Sequence, residues 1–129
     1  METPLNLAAV LLVFTGIVHS LLGERLIFQH LRQGTWVPQL GAPPLRARSI
    51  RILWATWHLA SVFGWGFAVI LWGLAAAPEA PVHGLVLPAV SSASAIGAVL
   101  VLVGTRGRHP GWVALAAVAA LSWAAMPGV

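Results

Sequence analysis

The sequence contains no cysteine, lysine, aspartate or tyrosine, and these absences exclude several classes of site. Without cysteine the chain can form no disulfide, no thiolate metal site and no iron–sulfur cluster, and it has no thiol nucleophile. The sequence also holds no P-loop, no nucleotide-binding glycine pattern and no acidic pair for phosphoryl chemistry. A site in this chain therefore has to be built from histidine, glutamate, arginine and hydroxyl groups.

Charge is equally scarce, because only 8% of the 129 residues are charged while 59% are hydrophobic. An average soluble domain is about 25% charged, so ten charged side chains are too few to cover a soluble globule. The net charge is +4, but the arginines bracket hydrophobic runs instead of forming a basic face. This pattern excludes a nucleic-acid partner and indicates a membrane protein in contact with the lipid bilayer.

Four uncharged runs of 21 to 27 residues separate the charged groups, and a spanning helix needs about 20 apolar residues. The sequence therefore predicts one all-α domain over residues 1–129, an integral-membrane antiparallel four-helix bundle with up-down-up-down topology. The predicted helices lie near 4–24, 51–75, 84–104 and 110–126. Proline and glycine residues interrupt the long connection 25–50 after a first part, 25–32, that can continue the first helix.

All seven arginines fall in the connections 25–50 and 105–109 or at their edges, and Glu2 and Glu79 lie in the opposite segments 1–4 and 76–83. By the positive-inside rule these two arginine-rich loops are cytoplasmic, so both chain termini, including 127–129, lie outside. We expect the arginines to contact anionic lipid headgroups.

Ionisable residues inside a span are costly and indicate a functional site. His19 precedes Arg25 by six residues, and His58 follows Arg51 by seven. At 1.5 Å per residue both histidines lie about 9–10 Å inside the arginine level, on helices that are neighbours in the chain. Glu24 lies at the end of the same first span, so the sequence predicts a shared polar site in the cytoplasmic half of the bundle.

Imidazole and carboxylate are ligands for transition metals, and paired histidines can hold a haem. One hypothesis is a b-type haem between His19 and His58, with Trp65 at its side and Arg25 and Arg51 on its propionates. Another is a divalent transition-metal ion. Its candidate ligands are His19, Glu24, His58 and His109.

Three further interpretations use the same residues. The chain can be a structural or assembly subunit of a larger membrane complex, in which the polar groups only hold helices together. It can be a proton-coupled or small-solute transporter that acts as a homo-oligomer. The third interpretation is a membrane enzyme using Ser20 or Ser61 as nucleophile, although the sequence shows no recognisable catalytic spacing.

Overall fold

A computed structural model describes residues 2–126 of the chain, so Met1 and the predicted outer segment 127–129 lie outside the described residues. The protein is all-helical, which confirms the predicted fold class. A π-helical turn and a 3₁₀ turn extend the first helix, so the expected continuation beyond Arg25 is confirmed. The elements in chain order are α1 Glu2–Gly23, the π turn Glu24–Phe28, the 3₁₀ turn Gln29–Leu31, α2 Ala47–Ala76, α3 Val82–Thr105 and α4 Gly111–Ala124.

Three helical segments are long and apolar enough to cross a membrane, namely Glu2–Leu31, Ala47–Ala76 and Val82–Thr105. The fourth, α4, has 14 residues and is about 21 Å long at 1.5 Å per residue. A bilayer core is about 30 Å thick, so α4 is too short to cross it unaided. The prediction of a four-span bundle is therefore not confirmed. The count of uncharged residues up to the C-terminus overestimated the length of this helix.

Within residues 2–126 the packed helix pairs are consecutive ones, α1 on α2, α2 on α3 and α3 on α4. All three pairs run antiparallel, as predicted. For example, Ser61 of α2 bonds the Gly16 carbonyl of α1, and Ser91 of α3 bonds the Ala119 carbonyl of α4. Contacts are thus most extensive between helices that are consecutive in the chain.

Helices α1 and α2 approach closely because α1 presents glycines to α2 tryptophans. Gly16 is buried under the Trp65 indole and Gly23 under the Trp57 indole, and a Cβ at either glycine would overlap the indole nitrogen. Close helix approach through small residues is the main route to helix association in lipid. This contact sets the register in which polar groups of the two helices meet.

The connection between α1 and α2 folds back over the arginine-bearing end of the helices. The backbone N–H groups of Gln39 and Leu40 both donate to the Leu31 carbonyl, and Arg106 donates to the side-chain oxygen of Gln39. Pro38 and Phe28 are fully buried beneath it. This loop therefore connects the end of α1 to the turn after α3.

Candidate functional site

The carboxylate of Glu24 accepts hydrogen bonds from three side chains at the end of α1. Its Oε1 atom accepts from Trp54 Nε1 at 2.6 Å and lies 2.8 Å from His58 Nε2, while its Oε2 atom pairs with Arg32. Arg32 lies beyond the π and 3₁₀ turns, which bring the chain back toward Glu24. The Glu24 and Arg32 side chains are about one-quarter exposed, at 25% and 24%.

The other ring nitrogen of His58 continues the chain of hydrogen bonds into the membrane-spanning part of α1. His58 Nδ1 lies 3.0 Å from Ser20 Oγ, which donates to Ser61 Oγ at 2.8 Å, and Ser61 Oγ donates to the Gly16 carbonyl at 2.9 Å. We call these side chains the α1–α2 polar network. Its members are Ser20, Glu24, Arg32, Trp54, His58 and Ser61.

The direction of each bond in the α1–α2 polar network fixes the tautomer of His58. A carbonyl can only accept, so the Ser61 proton goes to Gly16 and the Ser20 proton goes to Ser61. Ser20 has no second proton, and His58 Nδ1 must therefore be the donor. One further proton lies between His58 Nε2 and Glu24 Oε1. The contact between His58 Nε2 and Glu24 Oε1 is thus a hydrogen bond between two ionisable side chains.

Two tryptophans of α2 extend this seam of contacts along α1. Trp57 Nε1 donates to the His19 carbonyl at 2.9 Å, and Trp65 Nε1 donates to the Val13 carbonyl at 3.2 Å. Together with the Ser61 hydroxyl, these two indoles of α2 donate to three backbone carbonyls of α1. Trp54, His58, Ser61 and Trp65 all face α1, because their 4-3-4 spacing keeps them on one face of α2.

His19 lies at the predicted depth but does not join the α1–α2 polar network. Its ring stacks on Trp57 with centroids 4.4 Å apart and planes inclined by 6°. The ring borders a cleft of about 240 Å³ between α1 and α2, which Thr15 and Ser61 also line. His58 instead makes an edge contact with Trp54, at 5.0 Å between centroids. The structure therefore directs the two imidazoles to different surroundings.

The remaining candidate residues lie apart from Glu24 and His58. Arg25 is exposed, and only its backbone carbonyl is engaged, by the Gln29 side chain. Arg51 is buried near the start of α2. His109 lies in the turn before α4, where its Nδ1 accepts from the Gly111 N–H at 3.1 Å, and it lines a separate cleft between α2, α3 and α4.

This arrangement does not fit the proposed haem or metal ligation. Across residues 2–126 no group of three or more histidine or acidic side chains is placed to hold a metal ion. Both ring nitrogens of His58 and both oxygens of Glu24 are occupied by protein donors or acceptors. A ligating His58 would have to give up Ser20 or Glu24. The candidate ligand set of His19, Glu24, His58 and His109 is thus not assembled.

Sequence reasoning missed two residues that organise this site, Arg32 and Trp57. Arg32 lies eight residues after Glu24, a separation that places both on one face of a continued helix. Trp57 adjoins His58, and an indole N–H inside a span needs an acceptor. Both signals were present in the sequence, but neither indicates which partner would be chosen.

Comparisons of the chain with protein-family models, curated proteins and solved structures found no match in any of the three. The protein is therefore described by its own geometry, as a helical chain with three helices fit to span a membrane and a Glu24–His58 pair between α1 and α2.

Proposed function

We propose that the protein is an accessory or assembly subunit of a membrane complex, in which the α1–α2 polar network locks the first two helices together. The observation that carries this proposal is the saturation of the Glu24–His58 pair. Glu24 accepts three donors, and both His58 nitrogens have protein partners. A site whose hydrogen-bonding capacity is used internally is suited to holding helices in register, because no ligand position remains open.

The packing order of the helices supports the assembly part of this proposal. Within the described residues the extensive helix contacts are those between consecutive helices, so much of the surface of α1 and α4 is not covered by another helix. Their large apolar side chains, such as Leu11, Phe14 and Leu121, are exposed on the isolated chain. Lipid can cover these faces, but further subunits or copies of the chain can do so as well.

The positive-inside rule orients the proposed subunit. The arginine-bearing end, with the loop 32–46 and the turn 106–110, would face the cytoplasm, and Glu2 and Glu79 would face the opposite side. The α1–α2 polar network would then lie at the cytoplasmic end of the bundle. A reporter fused after Ala80, between α2 and α3, should be active outside the cytoplasm, and cytoplasmic activity there would contradict this orientation.

Proton uptake is a second candidate function, favoured by the proton between Glu24 and His58. Transfer of this proton from Nε2 to Oε1 breaks an N–H bond and forms an O–H bond without moving any heavy atom. Infrared spectroscopy can test this candidate, since a pH-dependent carboxylic-acid band that disappears in Glu24→Gln would support it. The same chain of bonds ends at the Gly16 carbonyl, which cannot pass a proton on. A relay across the membrane is therefore not supported.

The principal proposal is tested by purifying the protein in mild detergent and recording its absorption spectrum, metal content, mass and unfolding transition. We expect no haem band, no stoichiometric metal and a mass above the 13.6 kDa of one chain. His58→Ala should destabilise the fold by about 1–2 kcal/mol, because membrane hydrogen bonds contribute about 0.6 kcal/mol each on average and the Trp54 contact is also lost.

His30→Ala is the matched control for this experiment, because His30 is exposed outside α2 and its ring contacts only the Gln29 side chain. It should leave unfolding unchanged. A Soret band or bound metal that disappears in both His19→Ala and His58→Ala would overturn the proposal in favour of a cofactor site. A stable monomer without partners in native membranes would remove its assembly part.

A further inference from the structure

Arg51 is the buried cation of this chain whose charge is not balanced by a carboxylate. Arg51 is only 8% exposed, and its Nε atom is buried without a hydrogen-bond partner. The ion pairs within residues 2–126 engage Glu24 with Arg32 and His58. The other two acids, Glu2 and Glu79, lie at the opposite end of the helices. A buried Nε atom without a partner is costly, so an anion from outside the chain would stabilise Arg51.

Two further arginines surround this position from the turn after α3. Arg106 and Arg108 lie in this turn, and Arg106 also donates to the Gln39 side chain. The end of α3 is close to this part of α2, because Gly104 packs directly against Ala55 and Trp54. The positions of Arg51, Arg106 and Arg108 thus lie at the same end of these two antiparallel helices. Their mutual repulsion would be relieved by a bound anionic group.

The backbone at Arg106 is strained, which separates this residue from the other arginines of the chain. Arg106 adopts a left-handed conformation with φ of +54° at the end of α3. The N–H groups of Arg106 and Gly107 donate to the carbonyls of Val103 and Leu102, which is the Schellman pattern. Glycine is the usual residue at that position, and arginine is strained there. Strain retained at one residue suggests a role for its side chain.

An apolar cleft lies beside the turn that carries Arg106 and Arg108, with Thr105 and His109 in its lining. The cleft has a volume of about 330 Å³ and lies between α2, α3 and α4. Ala55, one helical turn beyond Arg51, forms part of its wall, and Thr105 and His109 lie at its arginine-bearing end. The other lining residues are mostly apolar, namely Ile52, Thr56, Leu59, Val101, Gly111, Ala114 and Leu115.

We propose that this site binds one anionic phospholipid, with its phosphate among Arg51, Arg106 and Arg108 and an acyl chain in the cleft. A charged head region next to an apolar slot matches the amphipathic form of a lipid, whereas a free phosphate would use only the arginines. Arginine suits a phosphate because its guanidinium presents paired donors. The cleft is lined by other residues of α2 than the α1–α2 polar network, although Arg51 lies one turn before Trp54.

Native mass spectrometry of the purified protein, delipidated and titrated with phosphatidylglycerol or phosphatidylcholine, tests this site. We expect one tightly retained phosphatidylglycerol per chain and weaker retention of phosphatidylcholine. Arg51→Gln should weaken phosphatidylglycerol binding about fivefold. This factor corresponds to about 1 kcal/mol per arginine near an anionic headgroup, at 1.4 kcal/mol per tenfold change.

Arg48→Gln is the matched control. Arg48 is exposed in the same first turns of α2, and its substitution by glutamine removes the same charge. It should change binding less than twofold. Ala114→Phe fills the cleft while leaving all three arginines in place, and it should also release the lipid. Folding of each variant is checked by its unfolding transition in detergent.

Three outcomes would overturn the proposal. If Arg48→Gln weakens binding as much as Arg51→Gln, the attraction is a general effect of positive charge. If millimolar inorganic phosphate protects the protein from unfolding as well as phosphatidylglycerol does, the ligand is a free anion. If the delipidated chain forms a dimer that dissociates in Ala114→Phe, a second copy of the chain occupies the cleft.

Discussion

Replacing Glu24 by glutamine tests the central feature of the α1–α2 polar network. The carboxylate has two accepting positions, one facing Trp54 and His58 and the other facing Arg32. An amide has one accepting oxygen and one donating NH₂ group. If the NH₂ group faces Arg32, two donors meet there; if it is flipped, it meets the Trp54 N–H. Glu24→Gln therefore leaves one unsatisfied donor in either orientation.

The expected cost follows from these contacts. Loss of the charge-assisted contact with Arg32 contributes about 1 kcal/mol, a value reduced because both side chains are about one-quarter exposed. A donor left unsatisfied adds about 1–2 kcal/mol. Glu24→Gln should therefore lower the free energy of unfolding by about 2–3 kcal/mol. Arg32→Gln alone removes only the partly exposed pair and should cost about 0.5–1 kcal/mol.

The double variant distinguishes this account from a general loss of stability. With glutamine at both positions the two amides can bond each other, and the donor conflict disappears. We expect a double-variant cost of about 2 kcal/mol, so that the two substitutions are coupled by about 1 kcal/mol. Unfolding can be followed in mixed micelles by tryptophan fluorescence, to which Trp54 beside Glu24 contributes. Strict additivity, or a Glu24→Gln protein as stable as the wild type, would refute the reasoning.

Three other predictions concern the helix contacts. Gly23→Ala should lower the free energy of unfolding by about 1–3 kcal/mol, because a Cβ overlaps the Trp57 indole. Gly64→Ala, where the space is open, should be neutral or slightly stabilising in the same unfolding assay. Arg106→Gly should raise the free energy of unfolding of the delipidated protein by about 0.5–1 kcal/mol, because the left-handed strain is relieved. The same variant should weaken phosphatidylglycerol retention. A destabilised variant would contradict the strain argument. Ser91→Ala should cost about 0.6 kcal/mol because its bond to the α4 carbonyl is lost, and Ser92→Ala, whose hydroxyl bonds only within α3, should cost less.

The depth of each polar residue was predictable from the sequence, but its direction was not. Counting from the arginines placed His19 and His58 at one level, and the Trp57 bond to the His19 carbonyl agrees with that level. Adjacent helical residues point about 100° apart, so His19 and Ser20 cannot both face His58. The chain directs Ser20 toward His58 because Gly16, Ser20 and Gly23 form the close-packed face of α1. That choice depends on packing, which spacing alone does not fix.

The arrangement of the helices was less predictable than their positions. Each helix is apolar on all sides, so the sequence offers no polar face to indicate which side meets lipid. A closed bundle and a layer in chain order satisfy the same hydropathy pattern. Interfaces are instead chosen by small residues and single polar contacts, such as Gly97 against Leu59 of α2 and Ser91 against α4. For the same reason, the 14-residue length of α4 did not follow from the uncharged run.

The placement of charge connects the two proposed roles of the arginine-bearing end. The chain has seven arginines and three glutamates, and two of those glutamates lie at the opposite end. Glu24 is therefore the acid available to the arginines, and its carboxylate is already used by Arg32, Trp54 and His58. Arg51 cannot be neutralised from within residues 2–126 without dismantling that network. The internal acid thus holds α1 on α2, and a counter-ion for Arg51 would have to come from outside the chain, which is the role that we propose for an anionic lipid headgroup.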